Sequence, residues 1–324
     1  MLYHHRQGAG AMGSRRHVVL YDSLSKSNRS VFDSDDMGDN EESKGFAWYT
    51  CGPTVYDSAH LGHARTYVCL DIIHRLILHA HKDQRRRPVF IMNITDVDDK
   101  IIKRAAELDE EPLSLARRYE REFFRDMKLL NVMRPTVVAR VSECVESDVV
   151  PYIERIIENG AAYVVTDDSN DTGYQSVYFD VQAFENMSDV VSWKYGKLAP
   201  STAAVNGGQQ FFNWTENDQS KALSSKGKKH PRDFVLWKAK KNTDTLFWSS
   251  PWGYGRPGWH IECSAMIEST MKRVSEMMNN TNAFGFHARS HALCFFNCLI
   301  LLTSTRVYMQ NSFRRISCKF MQVE

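Results

Sequence analysis

The chain has 324 residues, 43% hydrophobic and 25% charged, with room for two domains or one domain carrying a large insertion. Lys and Arg number 41 against 39 Asp and Glu, so no global field draws it to nucleic acid; a polynucleotide partner needs a local basic patch. Seven cysteines, odd in number and scattered from 51 to 318, argue against a secreted disulfide framework and for single or metal-bound thiols in a reducing compartment.

The opening MLYHHRQGAGAMGSRRHVVLYD holds three arginines, three histidines and no acid before Asp22, weakly like an organellar transit peptide; a flexible start is the plain alternative. Residues 23–45, rich in Ser, Asp, Asn and Glu, read as a loop. FAWYTC (46–51) predicts a strand, stopped by Gly52-Pro53. From about His60 the pattern turns helical, with Val68, Ile72, Ile73, Leu76, Ile77 and Ala80 at three- and four-residue spacing. RPVFIMNIT (87–95) predicts a strand buried on both faces, which suits a parallel sheet. Helices follow at about 98–108 and 113–130, the second with Leu115, Ala116, Tyr119, Phe123, Met127 and Leu130 on one face and charges on the other. This alternation predicts an α/β domain.

A further helix is expected over about 143–159, ending at Asn159-Gly160, a good left-handed cap. AYVVT (162–166) and YQSVYFD (174–180) alternate like a hairpin, and the polar, turn-rich 200–232 reads as a linker. DFVLWKA (233–239) and TLFWSS (245–250) are expected strands, followed by the Gly- and Pro-rich PWGYGRPGWHIECSAM (251–266). The late apolar run ALCFFNCLILL (292–302) is too short for a bilayer span, which takes ~20 residues.

CGPTVYDSAHLGHAR (51–65) carries the chemistry. His60 and His63 sit where a strand gives way to a helix, whose unpaired amides and positive dipole end favour phosphate. Two imidazoles one turn apart add donors to a phosphate whose charge changes in a displacement, and Gly62 leaves room for close approach to the backbone. Alone, these letters fit two solvated histidines at a helix start better than a nucleotide site, because H-x-G-H is only three fixed letters.

Longer blocks decide between these readings. WYTCGPTVYDSAHLGHAR (48–65), NITDVDDKIIKRA (93–105), DFVLWKA (233–239) and SPWGYGRPGWHIECSAM (250–266) together resemble the class I aminoacyl-tRNA synthetases, and among them the cysteinyl-tRNA synthetases. The "HIGH" signature stands as His60-Leu61-Gly62-His63, and the wording is nearest to the animal mitochondrial form. The resemblance covers roughly residues 18–266. It implies an α/β fold: a class I synthetase Rossmann-like parallel sheet, its first half present, with an inserted α+β connective region. It also implies ATP-dependent activation of cysteine to cysteinyl-adenylate and transfer to tRNA(Cys), with ATP used together with Mg2+. The substrate carboxylate attacks the α-phosphate, so the protein supplies position and charge stabilisation.

By the same resemblance Cys51 and Cys263 match ligands of a Zn2+ ion that binds the substrate thiolate and so rejects serine. Spacing alone would leave them two buried thiols. His60, Gly62 and His63 match the ATP site, the two histidines as catalytic groups; Gly52, Thr95 and Trp259 match the cysteine pocket. Asp96, Asp98 and Asp99 read as helix caps rather than metal ligands.

After Met266 the resemblance stops: HGGG-, HHENE- and KMSKS-like segments and an anticodon-binding helical domain do not follow. LSKS (24–27) and SSKGKK (224–229) read as surface, and His287 and His291 of HARSH have a spacing that could hold zinc on a helix, with chance histidines the better reading. The expected organisation is an extension (1–45), the first half of the catalytic domain (46–135), a connective insertion (136–250), a return to the catalytic domain (251–266) and a divergent tail (267–324) open to disorder, leaving a bare sheet edge. The tail looks like the product of an altered frame or splicing, and an impaired ligase is expected. A non-catalytic variant binding zinc, cysteine or a partner, and an ATP-dependent ligase joining cysteine to another acceptor, stay open. Expected partners are tRNA(Cys), cysteine and ATP, with no membrane; the expected location is the mitochondrial matrix, with the cytoplasm as alternative.

Overall fold

The computed structural model describes residues 18–22, 27–30, 47–80, 88–166, 173–186, 227–230, 232–280 and 291–293. These fall into two compact units: one holds the described residues up to Cys144 and from Cys263 onward, the other those from Val145 to Glu262.

In the first unit, β1 (Val19–Asp22) and β2 (Ser27–Ser30) form an antiparallel pair. β3 (Ala47–Thr50) leads through the 51–60 loop into α1 (Leu61–Ala80), then β4 (Val89–Ile94), α2 (Asp99–Leu108), α3 (Pro112–Leu129) and β5 (Val137–Arg140). β3, β4 and β5 pair in parallel, in that order. β4 is buried at every position after its first, as an apolar central strand covered on both faces must be.

α1 packs Ile73 and Ile77 against Trp48, Phe90 and Val18. Its buried face is centred on Leu70, Ile73, His74 and Ile77, whereas Ile72, expected inside, is 51% exposed. The face turns because two polar residues go in: Asp71 accepts a hydrogen bond from the Met133 amide at 2.9 Å, and His74 lies between rings. α2 starts at Asp98, whose carboxylate accepts from the Lys100 amide at 2.8 Å. α3 starts at Glu111, which accepts from the Leu113 and Ser114 amides, with Pro112 in the first turn where its missing N–H costs nothing. Leu115, Ala116, Tyr119, Phe123 and Met127 of α3 are buried as the period predicts, each large apolar side chain contributing about 1.5–3 kcal/mol.

β5, which lies among the residues expected as the insertion, extends the parallel sheet; Arg140 at its end donates to Glu120 of α3 at 2.8 and 2.7 Å, which ties it to the first unit. On its other side β3 pairs in parallel with β10 (His291–Leu293), numbered in chain order after the second unit's strands, and β5 ends the sheet. The helix expected at 143–159 is composite: α4 (Val141–Cys144), a π-helical turn (Val145–Val149) and α5 (Val150–Glu158). Pro151 has no amide to bond one turn back and its ring crowds that carbonyl, which accounts for the widened turn before it.

In the second unit, β6 (Ala162–Thr166), β7 (Gln175–Phe179), β8 (Phe234–Ala239) and β9 (Gly255–Pro257) form an antiparallel sheet in that order, and α6 spans Val181–Asn186. Gly160 turns the chain at φ 75° before β6. TLFWSS is not a strand: only Trp248 bridges to Gly255. Asp244 accepts from the Lys241 amide at 2.9 Å and from Arg256 at 3.2 Å, which draws the segment into turns instead. α7 runs from Trp259 to Asn280, past the point where the sequence resemblance ends. Among the described residues no helix is long and apolar enough to cross a membrane.

Candidate active site

Parallel α/β sheets offer ligands the crevice beyond the carboxyl ends of their strands. Here β3 ends into Cys51-Gly52-Pro53 and β4 ends into Thr95. The two ends are stitched together. The Gly52 amide donates to Asn93 Oδ1 at 3.0 Å, Asn93 Nδ2 donates to Thr95 Oγ1 at 3.3 Å, and the Thr95 amide donates to the Pro53 carbonyl at 3.1 Å. Gly52 has no alternative at this closeness: a Cβ there would lie 1.8 Å from the Asn93 carbonyl oxygen.

Cys51 Sγ lies 3.7 Å from Cys263 Sγ of α7; neither is in a disulfide and both are half-buried. Two sulfurs on one tetrahedral zinc, each at about 2.3 Å, are separated by about 3.8 Å, so the pair fits two corners of such a site. Among the described residues no third His, Cys, Asp or Glu joins a cluster able to hold a metal. Tyr67 of α1 closes the other side, its hydroxyl donating to the Cys51 carbonyl at 3.3 Å and its ring edge-on to Phe123 at 4.9 Å. Burial, and then the nearby Cys51 and Cys263 sulfurs, push the Tyr67 hydroxyl well above its usual range, so it stays a donor.

His60 and His63 meet at the start of α1, stacked with ring centroids 4.0 Å apart. His60 caps the helix: its carbonyl accepts from the Ala64 amide at 3.1 Å and its Nδ1 from the Gly62 amide at 3.0 Å. Nδ1 of His63 in turn accepts from the His60 amide at 3.2 Å. The room expected above Gly62 is taken by His60 itself, since a Cβ on Gly62 would lie 2.8 Å from the His60 ring. Partial burial, and then His60 beside it, lower the affinity of His63 for a proton, which keeps it neutral near pH 7.

Other expected residues lie elsewhere. Trp259 opens α7 and is 42% exposed, so it is no core aromatic. His287 lies outside the described residues, and His291 opens a strand. Asp98 is the expected cap, whereas Asp96 is buried and accepts from the Ser142 amide at 2.9 Å and from the Ser142 hydroxyl. Burial raises the Asp96 carboxyl above its usual range, a shift that the Ser142 bonds oppose. Of SSKGKK, Lys229 lies over the Tyr163 ring at 4.2 Å and pairs with Asp180 at 3.4 Å, a structural role. LSKS lies largely outside the described residues. Sequence reasoning missed Asn93 and Tyr67. Asn93, a polar side chain inside an apolar strand, was a visible signal; Tyr67 carried none.

Residues 38–321 match the family described as "tRNA synthetases class I (C) catalytic domain". A parallel sheet with its loops at the strand ends, matched over most of its length, places this chain in the class I tRNA synthetases. The chain belongs to their cysteine-type catalytic-domain family. It is 42% identical over 249 residues to "Probable cysteine--tRNA ligase, mitochondrial" of Xenopus tropicalis, covering 76% of this chain and 38% of that protein. It is 45% identical to "Cysteine--tRNA ligase, cytoplasmic" of Dictyostelium discoideum, over 72% of this chain and 32% of that one. Against "Cysteine--tRNA ligase" of Pyrococcus horikoshii it is 42% identical, over 67% and 39% respectively. The chain thus spans between 32% and 39% of the length of these relatives. A solved Mycobacterium tuberculosis methionyl-tRNA synthetase overlaps 68% of this chain and 46% of its own at TM-score 0.43 and 17% identity, too loosely to argue from.

Proposed function

We propose that the chain acts as a cysteine–tRNA ligase: it joins cysteine and ATP into cysteinyl-adenylate and passes the cysteinyl group to the 3′ end of tRNA(Cys). The observation that carries this reading is the 3.7 Å approach of Cys51 and Cys263 beside the strand-end loops of a synthetase-family domain. Zinc held by these two thiolates would bind the thiolate of cysteine and leave serine, a harder and poorer ligand, without a bond. Gly52 and Thr95 border that point, which fits them to the cysteine pocket; Trp259 is assigned to the pocket by the family resemblance alone. Asn93 holds the Gly52 amide and Thr95 in register.

His60, Gly62 and His63 form the ATP end. The α1 amides and the two imidazoles offer hydrogen bonds to the α-phosphate as the cysteine carboxylate attacks and pyrophosphate leaves with Mg2+. No side chain needs to become a nucleophile.

Cysteine-dependent exchange of pyrophosphate into ATP by the purified chain tests the reading. Exchange with cysteine and not with serine is expected, at a reduced rate in keeping with an impaired ligase. Its absence while zinc still binds would move the reading to a non-catalytic binder of cysteine.

The mitochondrial matrix is the proposed location, supported by the acid-free first 21 residues and by the likeness to the Xenopus mitochondrial protein. A C-terminally tagged chain should then colocalise with mitochondria; a uniform cytosolic signal would refute the placement.

A further inference from the structure

α3 carries Arg117, Arg121, Arg125 and Lys128 at successive turns, all exposed, along the side away from its buried face. They line a groove of about 570 Å³ together with Arg134 and Arg140. The two acids in that groove are both taken: Glu120 accepts from Arg140 at 2.7 and 2.8 Å, and Glu143 from Arg140 at 3.2 Å. Arg134 lies over the Phe124 ring at 5.0 Å, and Arg125 reaches only its neighbour Asp126, at 3.5 Å. No ion pair engages Arg117, Arg121 or Lys128 among the described residues. In a chain whose formal charge is only +2, this concentration stands out, and like charges one turn apart weaken a helix rather than support it.

We propose that this groove seats the phosphate backbone of the tRNA. The proposal rests on reading the chain as a tRNA ligase and adds where on the first unit the nucleic acid lies. Successive cations on the stripe are about 6 Å apart along the helix axis, which matches a run of neighbouring phosphates along a strand. A single small anion would need converging donors instead. A membrane surface fits poorly, because the apolar face of α3 that would enter lipid is already buried as Leu115, Phe123 and Met127. The groove reads no sequence; it positions the backbone.

The test uses the full chain and a labelled tRNA(Cys) transcript, with affinity measured over a salt series. Replacing Arg117, Arg121, Arg125 and Lys128 together by Ala should weaken binding at least about tenfold and flatten the log–log salt slope by about three. The triple variant Arg117→Lys, Arg121→Lys, Arg125→Lys, with Lys128 kept, should bind as the parent. Thermal unfolding should stay put or rise in the Ala variant, since exposed alanines suit a helix and the repulsion is relieved. Unchanged affinity and slope would overturn the proposal. So would an equal loss on removing Lys100, Lys103 and Arg104 of α2, no tRNA binding by the parent, or loss of binding to phosphatidylserine vesicles with tRNA binding intact. Cysteine-dependent pyrophosphate exchange, which needs no tRNA, is measured alongside. Exchange present with tRNA binding unaffected by the substitutions refutes the groove alone; exchange absent in the parent refutes the ligase reading.

Discussion

Cys51 and Cys263 are 212 positions apart in the chain, yet their sulfurs stand 3.7 Å from each other and the bond between them is absent. On the proposed reading the two thiols share a zinc ion, whose tetrahedral geometry puts two sulfurs at about this separation. Replacing either by Ser should therefore lower zinc affinity at least about tenfold. Cobalt substitution supplies the readout: the parent should show thiolate-to-cobalt charge transfer, weakened in each single variant and missing in the double. Equal spectra for parent and double variant would remove the metal from this pair.

His60 has two jobs that substitution can separate. His60→Ala removes the cap on the Gly62 amide and should cost about 1 kcal/mol of stability as well as activity. His60→Asn can still cap, so its melting temperature should match the parent while pyrophosphate exchange falls about a hundredfold. If the Asn variant keeps full exchange, the imidazole serves the helix and not the phosphate.

Gly52 is fixed by the backbone of β4 rather than by a ligand. Gly52→Ala drives a methyl into the Asn93 carbonyl, and either the strand end or the hydrogen bond from the Gly52 amide must yield. A loss of about 3 kcal/mol is expected, read as a lower urea midpoint at unchanged slope. A near-neutral result would show that the two strand ends are looser than described.

His74 makes the first unit acid-sensitive. Its ring lies 4.1 Å from that of Phe90 and edge-on to Trp48, Nε2 has no hydrogen-bond partner among the described residues, and burial lowers its pKa to about 4 against the opposing pull of Asp71. The folded state thus holds neutral His74 while the unfolded chain takes up a proton near pH 6.5. Stability is therefore unaffected by this group above pH 6.5 and falls progressively below it, by roughly 3 kcal/mol at pH 4. His74→Phe should flatten that part of the stability profile between pH 6.5 and 4. A profile that keeps its slope would place the sensitivity elsewhere, for instance at His260 of the second unit, also lowered to about 4 by burial.

The elements legible in advance were those whose pattern is local. β4 is an apolar run, α3 a clean amphipathic period, and Gly52-Pro53 a stop, so each was readable from a few neighbouring residues. β5 was not, because VVAR becomes a strand through pairing with β4, more than forty positions earlier. α7 was hidden behind the glycines and prolines just before it, although Ile261, Ala265 and Met266 are all buried. At the site, Cys51 and Cys263 were found through family resemblance, since no spacing rule joins residues so far apart. Tyr67 was invisible because its partner is a main-chain carbonyl, which no side-chain pattern encodes.

The imidazole of His60 lies on Gly62 and holds its amide. Any group that comes to that amide from the same side must first evict the ring, so occupancy here is an exchange of one tenant for another. If ATP binds here as proposed, the His60 ring protons should report its arrival directly, by a change in their magnetic environment, before any chemistry takes place.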